Sequence, residues 1–259
     1  MKRPNQIEEF SMQSRGESGF PAKPNSLISV VIPVWNEFEL LPRCIKRFRE
    51  LAETEGPIEI VVADGGSDDG TFGLAKTLAD KVITAKKRKA LQLNSGASIA
   101  SGGILFFPHA TVLAPEGTFD AIRGVVDAGY SGGGFSNVFE RSNVLIKSLG
   151  KILGVIPVNR DRSENVTFYG DNGIFVTRAA FDKLGGFRNQ SIMEDFDFSR
   201  RMARDFLSRR IVEPKLVLSP RRHERAGFIK TRLLWILIYS LYRVGAPTET
   251  LAKFYADVR

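Results

Sequence analysis

Two acidic segments hold the side chains best suited to chemistry. In the first, the β-branched run Ile58-Glu59-Ile60-Val61-Val62-Ala63 stops at Asp64, and Gly65-Gly66-Ser67-Asp68-Asp69-Gly70-Thr71 follows. In the second, Ser191-Ile192-Met193-Glu194-Asp195-Phe196-Asp197 sets two adjacent carboxylates at the head of a helical pattern. An ionised carboxylate can take a proton from a hydroxyl or accept a ligand's N–H groups. Both segments also have a purely structural reading. Gly65, Gly66 and Gly70 suit a tight turn, and Ser67, Asp68 and Asp69 can cap the next helix. Ser191 and Glu194 have capping-box spacing, and acids in a first helical turn favour the helix dipole. Neighbouring helical residues diverge by about 100°, so Glu194 and Asp195 point different ways and one can support the helix while the other reacts.

The elements that must position these groups alternate between strand and helix. Leu27–Val34 and Ile58–Ala63 lack polar alternation, which predicts central strands covered on both faces of a parallel sheet. Between them Leu40, Leu41, Cys44, Ile45, Phe48 and Leu51 recur at helical spacing until Gly56-Pro57. The three make a βαβ unit of right-handed crossover, with Asp64 at the carboxyl edge where open α/β sheets bind ligands. The turn after the first strand has no glycine, which excludes the Gly-x-Gly-x-x-Gly fingerprint of a nicotinamide or flavin enzyme. Farther on, the pattern predicts a helix over 71–79, a strand over 81–84 and a buried strand over Ile104–Phe107. Helices over 115–128 and 142–153 and a strand near 211–218 follow. The glycines of Gly129–Phe135 fit either a strand beside a bound molecule or a bulge.

At 259 residues, 43% hydrophobic and 25% charged, the chain suits one α/β domain. The lone Cys44 cannot form an internal disulfide and falls on the buried helix face, which fits a reducing compartment. A net charge of +8 and a pI near 9.7 call for a polyanionic partner. No nucleic-acid-binding motif appears, so nucleic acid is not the expected one. Residues 1–26 are polar and rich in Gly, Pro and Ser, and read as a disordered tail without a signal-peptide core.

Four cations, Lys86-Lys87-Arg88-Lys89, open the next helical pattern, Ala90-Leu91-Gln92-Leu93-Asn94-Ser95-Gly96-Ala97. Cations at a helix amino terminus oppose its dipole, so either an anion is held there or the run is solvated surface. Taken in order, the motifs resemble those of the family 2 glycosyltransferases, which have the nucleotide-sugar-binding GT-A fold. The likeness runs from about Leu27 to the end and is closest to a compact, single-domain bacterial subgroup. Pro33, Asn36 and Glu37 match a Pro-x-x-Asn-Glu turn, and Asp64 to Thr71 match Asp-Gly-Gly-Ser-x-Asp-Gly-Thr. Lys89, Ala90, Gln92, Leu93, Asn94, Gly96 and Ala97 resemble Arg-Ala-x-Gln-Met-Asn-x-Gly-Ala.

The resemblance implies a single GT-A domain over 27–259, a nucleotide-diphospho-sugar donor and a hydroxyl acceptor. It implies that Pro33, Asn36, Glu37, Asp64, Gly65, Gly66, Lys87, Lys89, Gln92 and Asn94 surround the nucleotide, with Asp64 on the base. Gly170-Asp171-Asn172 resembles a Gly-Asp-Gln segment, where Asp171 touches donor or acceptor, or only forms a turn. Glu194-Asp195 resembles the family's Glu-Asp motif. It makes Asp195 the general base and Glu194 an acceptor-positioning or structural residue, with inversion the expected outcome. Arg221, Arg222 and Arg225 resemble an Arg-Arg-x-Glu-Arg segment suited to a diphosphate.

One departure bears on the cofactor. The subgroup's His-Ala-Asp reads His109-Ala110-Thr111 here, so an acidic Mg2+ or Mn2+ ligand is replaced by a hydroxyl, leaving His109 as the metal candidate. A catalytically degenerate nucleotide-sugar-binding relative is therefore the alternative expectation. Leu233–Tyr242 is too short to span a bilayer. The arginine-flanked helices over about 228–258 fit an anionic membrane interface, the domain itself or a second subunit. The expected location is cytoplasmic, with peripheral contact at the inner face of the membrane.

Overall fold

The computed structural model describes residues 27–139, 167–218 and 228–255. The tail, the expected 142–153 helix, a polar loop over 159–165 and Arg221, Arg222 and Arg225 lie outside the described residues.

Strands β1 (Ile28–Val34), β2 (Ile58–Asp64), β3 (Lys81–Thr84) and β4 (Ile104–Phe107) are parallel neighbours in the order β3-β2-β1-β4. Helix α1 (Leu41–Glu55) joins β1 to β2, α2 (Thr71–Leu78) joins β2 to β3, and α3 (Lys89–Ile99) joins β3 to β4. β1 pairs with β2 on one side and β4 on the other, so the strand order reverses at β1 and opens a crevice at the carboxyl edge. Beyond β4 the eight-stranded sheet runs β7 (Ile174–Thr177), β6 (Gly132–Phe139), β8 (Ser208–Leu218) and β5 (Val112–Leu113). β7 is antiparallel to β4 and β6, while β6 and β8 are parallel.

β1 and β2 divide their side chains between two cores, as an unbroken apolar run requires. Val30, Ile32, Ile60 and Val62 join Phe48, Phe106, Phe119, Phe135 and Phe175 on one face. Val31 and Val61 face α3 with Phe107, Phe181, Phe187 and Phe198 on the other. Each such side chain, fully buried, contributes about 1.5–3 kcal/mol. Cys44 lies inside the first core, where burial and then Glu37 push its thiol up to about 12, so it stays a protonated core residue.

Three expectations need correction. Helix α4 (Thr118–Asp127) begins three residues later than its pattern predicts, because Gly117 adopts φ 80° ahead of it. Helix α3 starts at Lys89 with Arg88 as its N-cap, so Lys86 and Lys87 precede the helix instead of opening it. The capping box expected at Ser191 and Glu194 does not form. Met193, at φ 67°, is the N-cap of the helix carrying Glu194, and Gly70 is the N-cap of α2, although Asp69 still accepts the first helical amide, that of Thr71, at 2.9 Å. Ser191 instead donates to Glu249. The glycine-rich stretch of β6 has a packing cause: a methyl group on Gly133 would lie 2.0 Å from the Arg209 carbonyl oxygen, and one on Gly132 2.6 Å from that of Phe175.

Helices α5 (Arg178–Leu184), α6 (Glu194–Asp205), α7 (Phe228–Arg243) and α8 (Thr248–Phe254) complete the described residues. The apolar α7 sequence packs inward: Ile238, with Leu234, Trp235, Tyr239 and Tyr242, meets Ile192, Met193 and Phe196 at the head of α6. Leu233 and Leu237 remain exposed. No helix among the described residues is long and apolar enough to cross a membrane.

At the opposite edge from Asp64, Glu59 is buried between strands. It accepts from Ser29 Oγ at 2.6 Å and the Ser101 amide at 2.7 Å, and pairs with Lys81 Nζ at 2.7 Å. Burial alone would raise its carboxyl, but the bonds from Lys81, Ser29 and Ser101 together hold it down to about 2. A depressed carboxylate stabilises the fold above its unfolded value near 4.5, and that contribution fades as pH falls through about 2. Glu59→Gln is expected to cost about 1–3 kcal/mol at neutral pH. Urea unfolding of both proteins should show the difference shrinking below pH 4; a gap constant to pH 2 would remove the ionised Glu59 from this role.

Candidate active site

The carboxyl edge is built from two turns that hold each other. After β1 the chain passes Trp35-Asn36-Glu37-Phe38, with Asn36 at φ 54°; after β2 it passes Gly65 to Gly70. The Asn36 amide group and Asp68 exchange two bonds, Nδ2 to Asp68 Oδ1 at 2.8 Å and the Asp68 amide to Asn36 Oδ1 at 3.1 Å. The backbone amides of Asn36, Glu37 and Phe38 donate to Ser67, Thr71 and Asp69. Asp64, almost fully buried, accepts from the amides of Gly66 and Ser67 at 2.8 and 2.9 Å and from Ser67 Oγ at 2.6 Å. Its carboxylate therefore shapes the turn whether or not a ligand shares it. Pro33 ends β1 beside them, and Gly66, at φ 86° and exposed, leaves the approach open.

Beneath the turns lies Gln92, whose amide donates to the Val34 carbonyl at 2.7 Å and the Ala63 carbonyl at 3.1 Å. A methyl group on Gly65 would come within 3.0 Å of that amide nitrogen. Asn94 bonds the Phe187 backbone in both directions, at 2.7 and 2.9 Å. Both side chains support the site's frame. At the mouth, Lys87 Nζ stands 3.0 Å from the Trp35 ring centroid, a cation–π contact that ties the α3 approach to the first turn. Arg88 holds Asn189 at 2.8 Å.

The second acidic segment reaches the same edge through Gly170. Its amide donates to Asp195 Oδ2, and the Phe196 amide donates to Oδ1 at 2.7 Å. A methyl group on Gly170 would lie 2.7 Å from both His109 Nε2 and Lys89 Nζ and 2.9 Å from Asp195 Oδ2. An imidazole, an ammonium and a carboxylate thus converge on one point, delivered by the β4 exit, the head of α3 and the head of α6. Lys89 also lies 3.5 Å from Glu194, which is buried behind it. Burial pushes the Glu194 carboxyl up, Lys89 pulls it down and Asp195 pushes it up again. Tyr169 stacks on Phe196 at 5.4 Å, and burial raises its phenol. Asp171 is exposed one residue beyond Gly170, and its carbonyl takes a bond from Asn137.

Sequence reasoning marked the charged members of this cluster and missed Gly170, its geometric centre. The Gly-Asp-Asn spacing gave a signal, but nothing in one sequence reveals which glycine faces other side chains. For a divalent cation, the β4 exit offers the His109 imidazole and the Thr111 hydroxyl. Among the described residues, no group of three or more His, Cys, Asp or Glu is placed to hold a metal. Hard cations prefer several anionic oxygens, so this donor set fits tightly held Mg2+ or Mn2+ poorly.

The fold is that of the GT-A glycosyltransferases. A mannosyltransferase from Pyrobaculum calidifontis, solved with GDP-Man and Mn2+, matches at TM-score 0.61 and 22% identity over 91% of this chain and 70% of its own. S. aureus TarS (1–349) with UDP-GlcNAc matches at TM-score 0.59 and 13% identity over 74% and 58%. Within that class, residues 29–143 match the family model described as Glycosyl transferase family 2. The undecaprenyl-phosphate 4-deoxy-4-formamido-L-arabinose transferase of Salmonella paratyphi B is 28% identical over 160 residues, 58% of this chain and 49% of that enzyme. The chain spans about half or less of the length of the curated relatives it matches.

The convergence on Gly170 makes a specific prediction. Gly170→Ala pushes against the movable ends of three side chains, so the fold should lose little, under about 1 kcal/mol, while misplacement of Asp195 lowers turnover by about 100-fold. Thermal unfolding and single-turnover assays measure the two effects. Equal activity in the variant would mean that the convergence is unrelated to turnover.

Proposed function

We propose that the protein transfers a sugar from a nucleotide-diphosphate-sugar to a hydroxyl acceptor with inversion, Asp195 being the general base. The observation that carries this reading is the placement of Asp195: its carboxylate is fixed by the Gly170 amide among Lys89 and His109, on the sheet edge that also bears Asp64. Nucleotide-sugars in the solved relatives of the same fold supply the donor class. The Asn36–Glu37 and Asp64–Gly66 turns, with Lys87 and Trp35 at their mouth, would receive the nucleotide, and Asp64 the base.

Asp195 takes the acceptor's hydroxyl proton as the acceptor oxygen bonds to the anomeric carbon. The bond from that carbon to the diphosphate breaks on the opposite face, and its electron pair leaves with the diphosphate. Glu194 stays behind Asp195, buried against Lys89, and supports the base without meeting the acceptor. Charge on the leaving group meets Lys87, Lys89 and, in this proposal, Arg221, Arg222 and Arg225, because Thr111 supplies no anionic metal ligand. The same threonine favours the rival reading, a binding-only relative, which predicts donor binding without turnover.

Asp195→Asn is expected to lower transfer by about 100- to 10,000-fold while leaving donor affinity unchanged. Turnover that survives the substitution would place the base elsewhere. Calorimetric titration with UDP- and GDP-sugars, in manganese and in chelator, tests the cation clamp. Affinity in chelator is expected within about threefold of that in manganese if side-chain cations hold the diphosphate; strict metal dependence would return His109 to the metal site.

A further inference from the structure

The side of α6 turned away from Asp195 holds a second concentration of charge. At about 100° per residue, Asp197, Arg200, Arg201 and Arg204 all lie on the far side of α6 from Asp195. Arg188, from the loop before α6, joins them, and these five residues line an open cavity of about 340 Å3. Asp197 accepts from Arg201 Nε at 2.8 Å and Arg188 Nη1 at 3.2 Å. Arg201 is buried, and its other donors hold the carbonyls of Leu184 and Gly186 at 2.7 and 2.8 Å, so it forms a rigid wall. Arg204 pairs with Asp205 on the rim, at 2.7 and 2.8 Å. Arg200 meets no carboxylate among the described residues; its guanidinium lies 5.8 Å from the Phe196 ring.

Four guanidiniums thus face one lining carboxylate, which two of them already share. Arg200 and Arg204 are four residues apart on one helix, a like-charge spacing that mildly disfavours the helix and that Asp205 offsets only at Arg204. Gln190 accepts from the Tyr242 hydroxyl at 3.5 Å, and that hydroxyl stands close enough to feel Asp197, Arg200 and Arg188. Planar guanidinium forks match phosphate oxygens in pairs.

We propose that this cavity binds a phosphate or diphosphate group at a site separate from the sugar-donor edge, with Arg200, Arg204 and Arg188 as its donors. The inference does not rest on the transferase reading, because Asp195 and the cavity occupy opposite sides of α6. The phosphate belongs either to a soluble anion or to a headgroup on a membrane surface, and two probes separate these sources.

Inorganic pyrophosphate is titrated calorimetrically, and vesicles of phosphatidic acid in phosphatidylcholine are co-sedimented with the protein, phosphatidylcholine alone being the control. Arg200→Gln with Arg204→Gln removes two exposed side chains, and Arg188→Gln repeats the test from a different element. Each is expected to weaken binding of the active probe by about tenfold or more, with Arg200→Lys and Arg204→Lys recovering part of it. Pyrophosphate binding alone supports a soluble ligand, and acidic-vesicle binding supports a headgroup. Binding of neither probe, or binding that the glutamine variants leave unchanged, overturns the proposal; the second result would place the anion on the donor edge instead. Loss of sugar transfer in Asp195→Asn with anion binding intact would show the two sites to be independent.

Discussion

The Gln92 side-chain amide donates to carbonyls at the carboxyl ends of two adjacent strands, Val34 of β1 and Ala63 of β2. The Val34 carbonyl also accepts the Gly65 amide at 2.8 Å, so Gln92 adds a second bond there and ties the ends of the two strands together, while a buried side-chain amide left without acceptors would cost about 1–3 kcal/mol. These bonds from buried Gln92 fix the height of α3 against the edge. Everything else at the edge inherits this position. Gly65 has to lack a side chain because the amide lies beneath it, the two turns lock through Asn36 and Asp68, and Lys89, one helical turn before Gln92, is held at the centre of the edge.

The second constraint comes from the other end of the chain. Helix α6 starts at Met193 with a left-handed backbone and no capping side chain, a start with little local support. Tertiary packing supplies it. Ile192, Met193 and Phe196 sit in a cluster with Ile238 and Leu251, and Phe196 is stacked by Tyr169 and edged by Tyr239 and Tyr242. Asp195 lies between two of these anchors, and its carboxylate is aimed by the Phe196 and Gly170 amides, the first of which the cluster holds in place. This accounts for the hydrophobicity of α7 as core and leaves Leu233 and Leu237 as its exposed remainder.

How much of this was legible depended on how local each cause was. β1, β2, β4 and α1 were readable because their burial follows from their own periodicity. The α3 and α4 starts were displaced by single backbone positions, Arg88 and Gly117, that composition does not mark. The Ser191–Glu194 spacing looked like a capping box, yet Ser191 finds its partner in Glu249, 58 residues away. Gln92 and Asn94 were expected around a nucleotide; the structure places both against backbone, because amide side chains look alike in sequence whether they face a ligand or a neighbouring turn. The Gly132–Gly133 pair was ambiguous until the close β7 and β8 backbones were in view.

The exchange of an acid for Thr111 also has a physical consequence beyond the missing ligand. Thr111 brings no negative charge to the β4 exit, and Lys89 pairs with Glu194 at 3.5 Å while the Asp195 carboxylate meets the same point at Gly170. A buried carboxylate opposite an ammonium is strongly destabilising when either partner is lost, so this pair is held in place by its own desolvation. With a metal and its acid present, Lys89 would share the diphosphate region with a second cation. Without the acid, the ammonium can serve both Glu194 and an incoming phosphate, and it stands where the α3 and α6 sides of the crevice both meet Gly170. On this argument, the loss of one carboxylate shifts the work of charge neutralisation from an ion to the head of α3.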